Sequence, residues 1–124
     1  MLCANPDLVV HRGKRLYWCA GALASDYAAL GGDIIYYGKP HRPVYDMARA
    51  EIAARCGGSA RKMLAIGDGM PTDIKGANAE GLDVVFIADG IHGEEVEPYS
   101  PEHLTALLAK SGCHADAALR ALKW

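Results

Sequence analysis

Met63-Leu64-Ala65-Ile66-Gly67-Asp68-Gly69-Met70-Pro71-Thr72-Asp73-Ile74-Lys75-Gly76-Ala77 is the stretch that decides the fold. Its first four residues form an apolar run, which predicts a buried strand. The run breaks at Gly67, exposes the Asp68 carboxylate between two glycines, and turns through Gly69 and Pro71. Asp73 follows, on the expected first turn of a short helix that starts at Thr72 or Asp73, runs to about Glu80 and stops at Gly81. Strand, acidic loop and helix in that order put two carboxylates at the carboxyl edge of a sheet, where open α/β folds keep their ligands.

Working upstream, Ile34–Tyr37 is β-branched and aromatic, hence a strand. Gly38-Lys39-Pro40-His41-Arg42-Pro43 follows, with Pro40 biasing Lys39 towards an extended backbone and Pro43 suited to a first helical turn. The helix should run to about Cys56, with Val44, Ala48 and Ile52 on one face and Tyr45 beside them, and Gly57-Gly58 stops it. Arg61-Lys62 then leads into the strand Met63–Ile66. Nearer the N-terminus, Asn5-Pro6-Asp7 is a turn signal. Leu8-Val9-Val10 and Arg15-Leu16-Tyr17-Trp18 flank His11-Arg12-Gly13-Lys14 as a hairpin. A helix is expected from about Ala20 to Leu30, with Leu23, Tyr27 and Leu30 on one face, and Gly31-Gly32 ends it.

Downstream, Asp83–Ile87 reads as a continuous apolar strand, the pattern of a parallel strand covered on both faces. Ala88–Ser100 is acidic (Asp89, Glu94, Glu95, Glu97) and reads as a solvated loop. Pro101–Ala109 should be a helix with Leu104, Leu107 and Leu108 on its apolar side. The Ala- and Leu-rich stretch from His114 to about Lys123 predicts a last helix. Alternating strands and helices over residues 34–110 make a right-handed parallel α/β unit the economical architecture. Only three strands are convincing, so the stretch reads like part of a domain.

Composition narrows the function classes. The chain has 124 residues, 51% hydrophobic and 23% charged, with a net charge of −2. That balance gives no footprint for nucleic acid or a polybasic membrane surface. No apolar run approaches the ~20 residues of a membrane span, and a cytoplasmic protein is expected. Cys3, Cys19, Cys56 and Cys113 form no C-x-x-C pair, and reduced thiols are expected rather than a zinc site. His11, His92, His103 and His114 form no H-E-x-x-H pattern, so surface or loop roles are expected for each.

Familiar site motifs are absent. Gly67-Asp68-Gly69 starts like a dinucleotide fingerprint, but Thr72 stands where its third glycine belongs. There is no phosphate-binding G-x-x-x-x-G-K-[ST] loop, no EF-hand pattern and no G-x-S-x-G elbow. What remains is Asp68, Asp73 and Lys39. Carboxylates on one sheet edge suit a hard cation such as Mg²⁺, which takes a few carboxylates and keeps several waters. Asp73 lies near a helix N-terminus and either caps that helix or supports the site. Lys39, at a Gly-Lys-Pro turn opening a helix, is either a solvated turn lysine or a cation placed to meet a phosphoryl oxygen.

Gly38-Lys39-Pro40 followed by G-D-G-M-P-T-D-I-K-G-A resembles the third and fourth motifs of the haloacid dehalogenase-like (HAD) phosphatase superfamily. Asn5-Pro6-Asp7 and Cys19-Ala20-Gly21-Ala22 resemble the cap region of its class IIA, NagD-like members. The resemblance implies a Rossmann-like three-layer α/β/α core with few parallel strands and a remnant of an α/β cap. Residues 1–37 would be the cap remnant and 38–124 the second half of the catalytic core. It implies Mg²⁺ as cofactor and a small phosphorylated metabolite, of the sugar phosphate or nucleotide type, hydrolysed through an aspartyl-phosphate. Lys39 would hold the phosphoryl group, Asp68 would coordinate Mg²⁺, and Asp73 would hold Lys39 or a metal-bound water. Asn5 and Asp7 would lie near the substrate, and Gly67 and Gly69 would shape the loop.

One departure from that family is plain. Its nucleophile and general acid/base come from a D-x-D motif, and no D-x-D occurs in this chain. The expectation is therefore a C-terminal portion of a phosphatase, inactive alone, whose partners are the missing N-terminal half or a second copy. The alternatives are a non-catalytic phosphate-binding or docking module and a gene fragment without independent function.

Overall fold

The computed structural model describes residues 1–13, 15–58 and 62–123. Lys14, in the expected hairpin turn, and Arg61, in the expected lead into the central strand, lie outside the described residues. The fold is mixed α/β with parallel strands, as the alternation of apolar runs and helical patterns predicts, and the described residues hold four α-helices.

The N-terminal third is built on β1 (Leu2–Cys3), β2 (Val9–Arg12), β3 (Arg15–Trp18), α1 (Ala20–Ala29) and β4 (Ile35–Tyr36). β2 and β3 form the predicted antiparallel hairpin, with Val9 opposite Trp18. The strand expected at 34–37 pairs with β1, parallel, through Leu2–Ile35 and Cys3–Tyr36. Two residues are too short a run to announce a strand in sequence, so β1 emerges only as the partner of β4. α1 corrects the expected helix face: Leu23, Tyr27 and Leu30 are exposed, and Gly21 and Ala24 are buried instead. The reason is close backbone packing. A Cβ on Gly21 would overlap the carbonyls of Pro6 and Asp7, and the Gly21 N–H donates to the Asp7 carbonyl at 3.1 Å. No side chain fits at Gly21, where α1 meets the Asn5–Asp7 turn.

α2 (Arg42–Cys56) starts with Pro43 in its first turn and ends on Gly57, whose φ of 67° stops the helix as expected. Its buried residue is Tyr45, whereas Val44 and Ile52 are half-buried and Ala48 is exposed. β5 (Leu64–Gly67), a single π-helical turn (Met70–Ile74), α3 (Lys75–Ala79), β6 (Asp83–Ile87), α4 (Pro101–Lys110) and β7 (Ala117–Leu119) complete the chain. β5, β6 and β7 form one parallel sheet in that order.

β7 corrects the predicted last helix. Val85 pairs with Ala117 and Ile87 with Leu119, and the Asp116 carboxylate accepts the Val84 N–H at 2.8 Å. Alanine and leucine favour a helix intrinsically, but an open sheet edge offers ladder bonds that override so weak a preference.

The sheet is two-sided in an uneven way. Val84 and Phe86, fully buried, point with Ala65 and Ala118 towards α3 and α4, joining Ile74, Ala77, Val96, Leu104 and Leu108 in the core. Each of the large fully buried side chains stabilises the fold by about 1.5–3 kcal/mol. Leu64, Ile66 and Leu119 lie on the opposite face by strand alternation and remain exposed. β6 thus alternates between buried and half-buried rather than being covered on both faces. α4 matches its expectation: Ser100 Oγ accepts the His103 N–H, and Leu104 and Leu108 turn inward.

Candidate functional site

Parallel pairing of β1 with β4 puts both carboxyl ends on one side. Asn5-Pro6-Asp7 therefore emerges beside Gly38-Lys39. A Cβ on Gly38 would overlap the Ala4 carbonyl and the Pro6 ring, so the two loops touch. The Asn5 side-chain oxygen accepts the Asp7 N–H at 3.1 Å, the turn chemistry expected of Asn-Pro-Asp. The third loop, Gly67-Asp68-Gly69, leaves the carboxyl end of β5. All three meet around a cleft of about 800 Å³ whose lining includes Asn5, Asp7, Lys39, Asp68, Gly69 and Asp73. Val9, Val10, Val44 and Ile91 supply its apolar wall. Gly67, the remaining site residue expected from sequence, lies at the end of β5 immediately behind Asp68.

Asp73 is the most constrained of these residues. Its side chain is 13% exposed, one oxygen is paired with Lys39 Nζ, and the other accepts the Gly69 N–H at 3.0 Å. The expected helix start at Thr72 or Asp73 falls instead within the π turn, where the Gly69 carbonyl accepts from Asp73 at 2.8 Å and from Ile74 at 3.1 Å. Such wide turns cluster at functional positions. A Cβ on Gly67 would overlap the Asp73 carboxylate, so glycine there lets the side chain lie against the end of β5. Of the two readings open in sequence, solvated turn lysine or phosphate-side cation, Lys39 is in an ion pair at the cleft. Its ammonium, half exposed, keeps two further donors.

Asp68 is differently placed. Ile91 donates its N–H to Asp68 Oδ2 at 2.9 Å, leaving Oδ1 without a partner among the described residues. Tyr45, buried between α2 and α3, has its phenol pushed up by burial first and then by the charges of Asp73 and Glu80. Arg49 ties the same two helices by a 2.6 Å bond to Glu80, which raises the guanidinium further.

Among the described residues, no three His, Cys, Asp or Glu side chains gather as a metal cage. Both Asp73 oxygens are occupied, whereas Asp68 keeps one hard carboxylate oxygen without a partner among the described residues. Mg²⁺ is commonly held by one or two carboxylates with waters and substrate phosphate completing the shell. The residues fit an ion held in that manner.

Residues 36–111 match the HAD-hydrolase-like family. The chain belongs to that family. The resemblance read from Gly38-Lys39-Pro40 and the Gly67–Ala77 motif therefore stands at the level of family and fold. A dihydroxyacetone phosphatase from Corynebacterium glutamicum is 31% identical over 112 residues, 87% of this chain and 39% of that protein. A haloacid dehalogenase-like hydrolase from Brucella suis is 54% identical with a TM-score of 0.63, covering 73% of this chain and 36% of that one. A glycerol phosphate phosphatase from Mycobacterium tuberculosis, solved with calcium, is 30% identical with a TM-score of 0.61, covering 80% of this chain and 28% of that one. The same protein has also been solved with magnesium. The chain spans about two fifths of the length of its curated HAD relative.

Sequence reading missed part of the site. Gly90-Ile91 reads as solvated loop in the sequence, yet it wraps over Asp68. His92 Nε2 accepts the Met70 N–H at 3.4 Å while Nδ1 bonds Glu95 at 2.8 Å, so that loop also braces the π turn. A usable signal was the parallel topology itself. The carboxyl ends of β5 and β6 must lie side by side, so the residues after Ile87 had to approach Asp68.

Proposed function

We propose that this chain carries the phosphate- and cation-holding side of a phosphomonoester hydrolase site. The observation that carries it is the Lys39–Asp73 ion pair facing the cleft beside Asp68. Lys39 would donate to phosphoryl oxygens, with Asp73 fixing its direction. Asp68 would hold Mg²⁺, which supplies neutralisation of phosphate charge when bound. Asn5 and Asp7 would meet hydroxyls of a small phosphorylated metabolite. A three-carbon or sugar phosphate is favoured by the substrates that name the relatives, a nucleotide less so. Residues 1–37 act as a cap remnant over a core at 38–124. We place the protein in the cytoplasm, where four free thiols persist; among the described residues no helix is long and apolar enough to cross a membrane.

Attack through an aspartyl-phosphate needs a carboxylate in line with phosphorus. Asp73 is fully engaged, and Asp68, as cation ligand, is not free to attack. We therefore expect the 124-residue chain to turn over little or no p-nitrophenyl phosphate with Mg²⁺. Robust turnover lost in Asp68→Ala overturns that. The missing half of the site, or a second copy, is the expected partner.

The lack of a D-x-D also favours a second reading, a non-catalytic module that binds a phosphorylated ligand. Calorimetric titration with inorganic phosphate and Mg²⁺ tests what both readings share. Heat that disappears in Lys39→Ala supports a retained phosphate site, and no heat in the parent chain removes it.

A further inference from the structure

We propose that the Gly90–Ile91 turn is a positioning device for Asp68, holding one carboxylate oxygen through the Ile91 N–H and presenting the other to the cleft. The inference rests on the reading of Asp68 as the cation-holding carboxylate. Three observations carry it. Ile91 N–H to Asp68 Oδ2 is 2.9 Å. The Ile91 side chain is 71% exposed, so packing of that side chain is not what holds the residue there. A Cβ on Gly90 would overlap the Asp68 carboxylate, although Gly90 is outside the left-handed region and its backbone would accept alanine.

The turn is itself anchored. Ala88 and Asp89 donate their N–H groups to the carbonyls of Leu119 and Arg120 at 2.8 and 2.9 Å, extending the pairing of β6 with β7. Arg120 Nη1 lies 3.4 Å from the Asp89 carboxylate, and the guanidinium carbon of Arg120 lies 4.5 Å over the Tyr99 ring centroid. Thus β7 fixes the end of β6, the end of β6 fixes residue 90, and the missing side chain of Gly90 leaves room for the Asp68 carboxylate where it lies. With Oδ2 committed to the amide, Asp68 offers a cation a single oxygen, the monodentate geometry Mg²⁺ accepts.

The test reads the amide of residue 91 directly, by hydrogen exchange on the isotope-labelled 124-residue chain. Hydrogen bonds to charged groups are strong enough that losing this one should speed exchange at Ile91 about tenfold or more. That is the expected result in Gly90→Ala, with the amides of Val84 and Phe86 unchanged. Asp68→Ala should do the same and keeps the proposal testable if Gly90→Ala fails to fold. Ile91→Val keeps the donor and should keep the protection. In parallel, Mg²⁺ affinity by calorimetry should fall about tenfold or more in Gly90→Ala, the usual consequence of losing an orienting partner. Parent-like exchange at residue 91 in both Gly90→Ala and Asp68→Ala overturns the proposal, as does parent-like Mg²⁺ affinity in Gly90→Ala. If the parent chain binds no Mg²⁺, the metal reading of the site falls while the exchange result still decides the positioning.

Discussion

Replacing Asp73 by alanine removes two interactions of different worth. The bond from the Gly69 N–H, 3.0 Å to a carboxylate that is 13% exposed, is a hydrogen bond to a charged group and contributes about 1.5–3 kcal/mol. The pair with Lys39 contributes less, because the lysine is half exposed and solvent screens it, and we assign it under about 1 kcal/mol. Asp73→Ala should therefore cost about 2–3 kcal/mol, and Asp73→Asn, which keeps an oxygen for Gly69, about 1 kcal/mol. For a chain of this size, each kcal/mol moves the melting midpoint by about 4 °C, so the alanine variant should melt about 8–12 °C lower. Urea titration followed by circular dichroism measures both variants, and an unchanged slope confirms that only stability moved. If Asp73→Ala stays within about 0.5 kcal/mol of the parent, the range of ordinary surface changes, Asp73 is not what organises the Gly69 turn. The assignment of Lys39's direction to Asp73 then fails with it.

Phe86→Ala, deep between the sheet and α4, should cost about 3–5 kcal/mol in the same titration. Leu30→Gln, on the exposed side of α1, should stay within about 0.5 kcal/mol, whereas a loss above 1.5 kcal/mol would mean that the face predicted from sequence is the buried one. The Tyr45 phenol should ionise above its usual pH in an ultraviolet titration. Because the unfolded phenol ionises first, this group withdraws stability as pH rises past 10. Tyr45→Phe should blunt that alkaline loss.

The loop that carries the site was legible because its chemistry is local: an apolar run, two glycines, a proline and two carboxylates leave few alternatives. β5, β6, α2 and α4 were legible for the same reason, each announced by its own pattern. β7 was not, because Ala117–Leu119 becomes a strand only through the edge that β6 offers it. The buried face of α1 was hidden by a different effect. Apolarity pointed to Leu23, Tyr27 and Leu30, but the side of α1 that packs against the Pro6 and Asp7 carbonyls does so through Gly21, where no Cβ fits. The role of Gly90 was invisible for a third reason: a glycine's use lies in what its absent side chain leaves room for, and that needs the neighbour in place.

The wide turn between Gly69 and Ile74 makes chain length, as much as chemistry, a condition of the site. The 3.1 Å bond from the Ile74 N–H to the Gly69 carbonyl encloses one residue more than a regular helical turn would. Dropping that residue would restore ordinary winding and rotate everything before it by about 100° about the helix axis. Asp73 would then leave Lys39 even if every site residue were kept. Between Asp68 and Asp73 this chain should accept substitutions more readily than it accepts an insertion or a deletion.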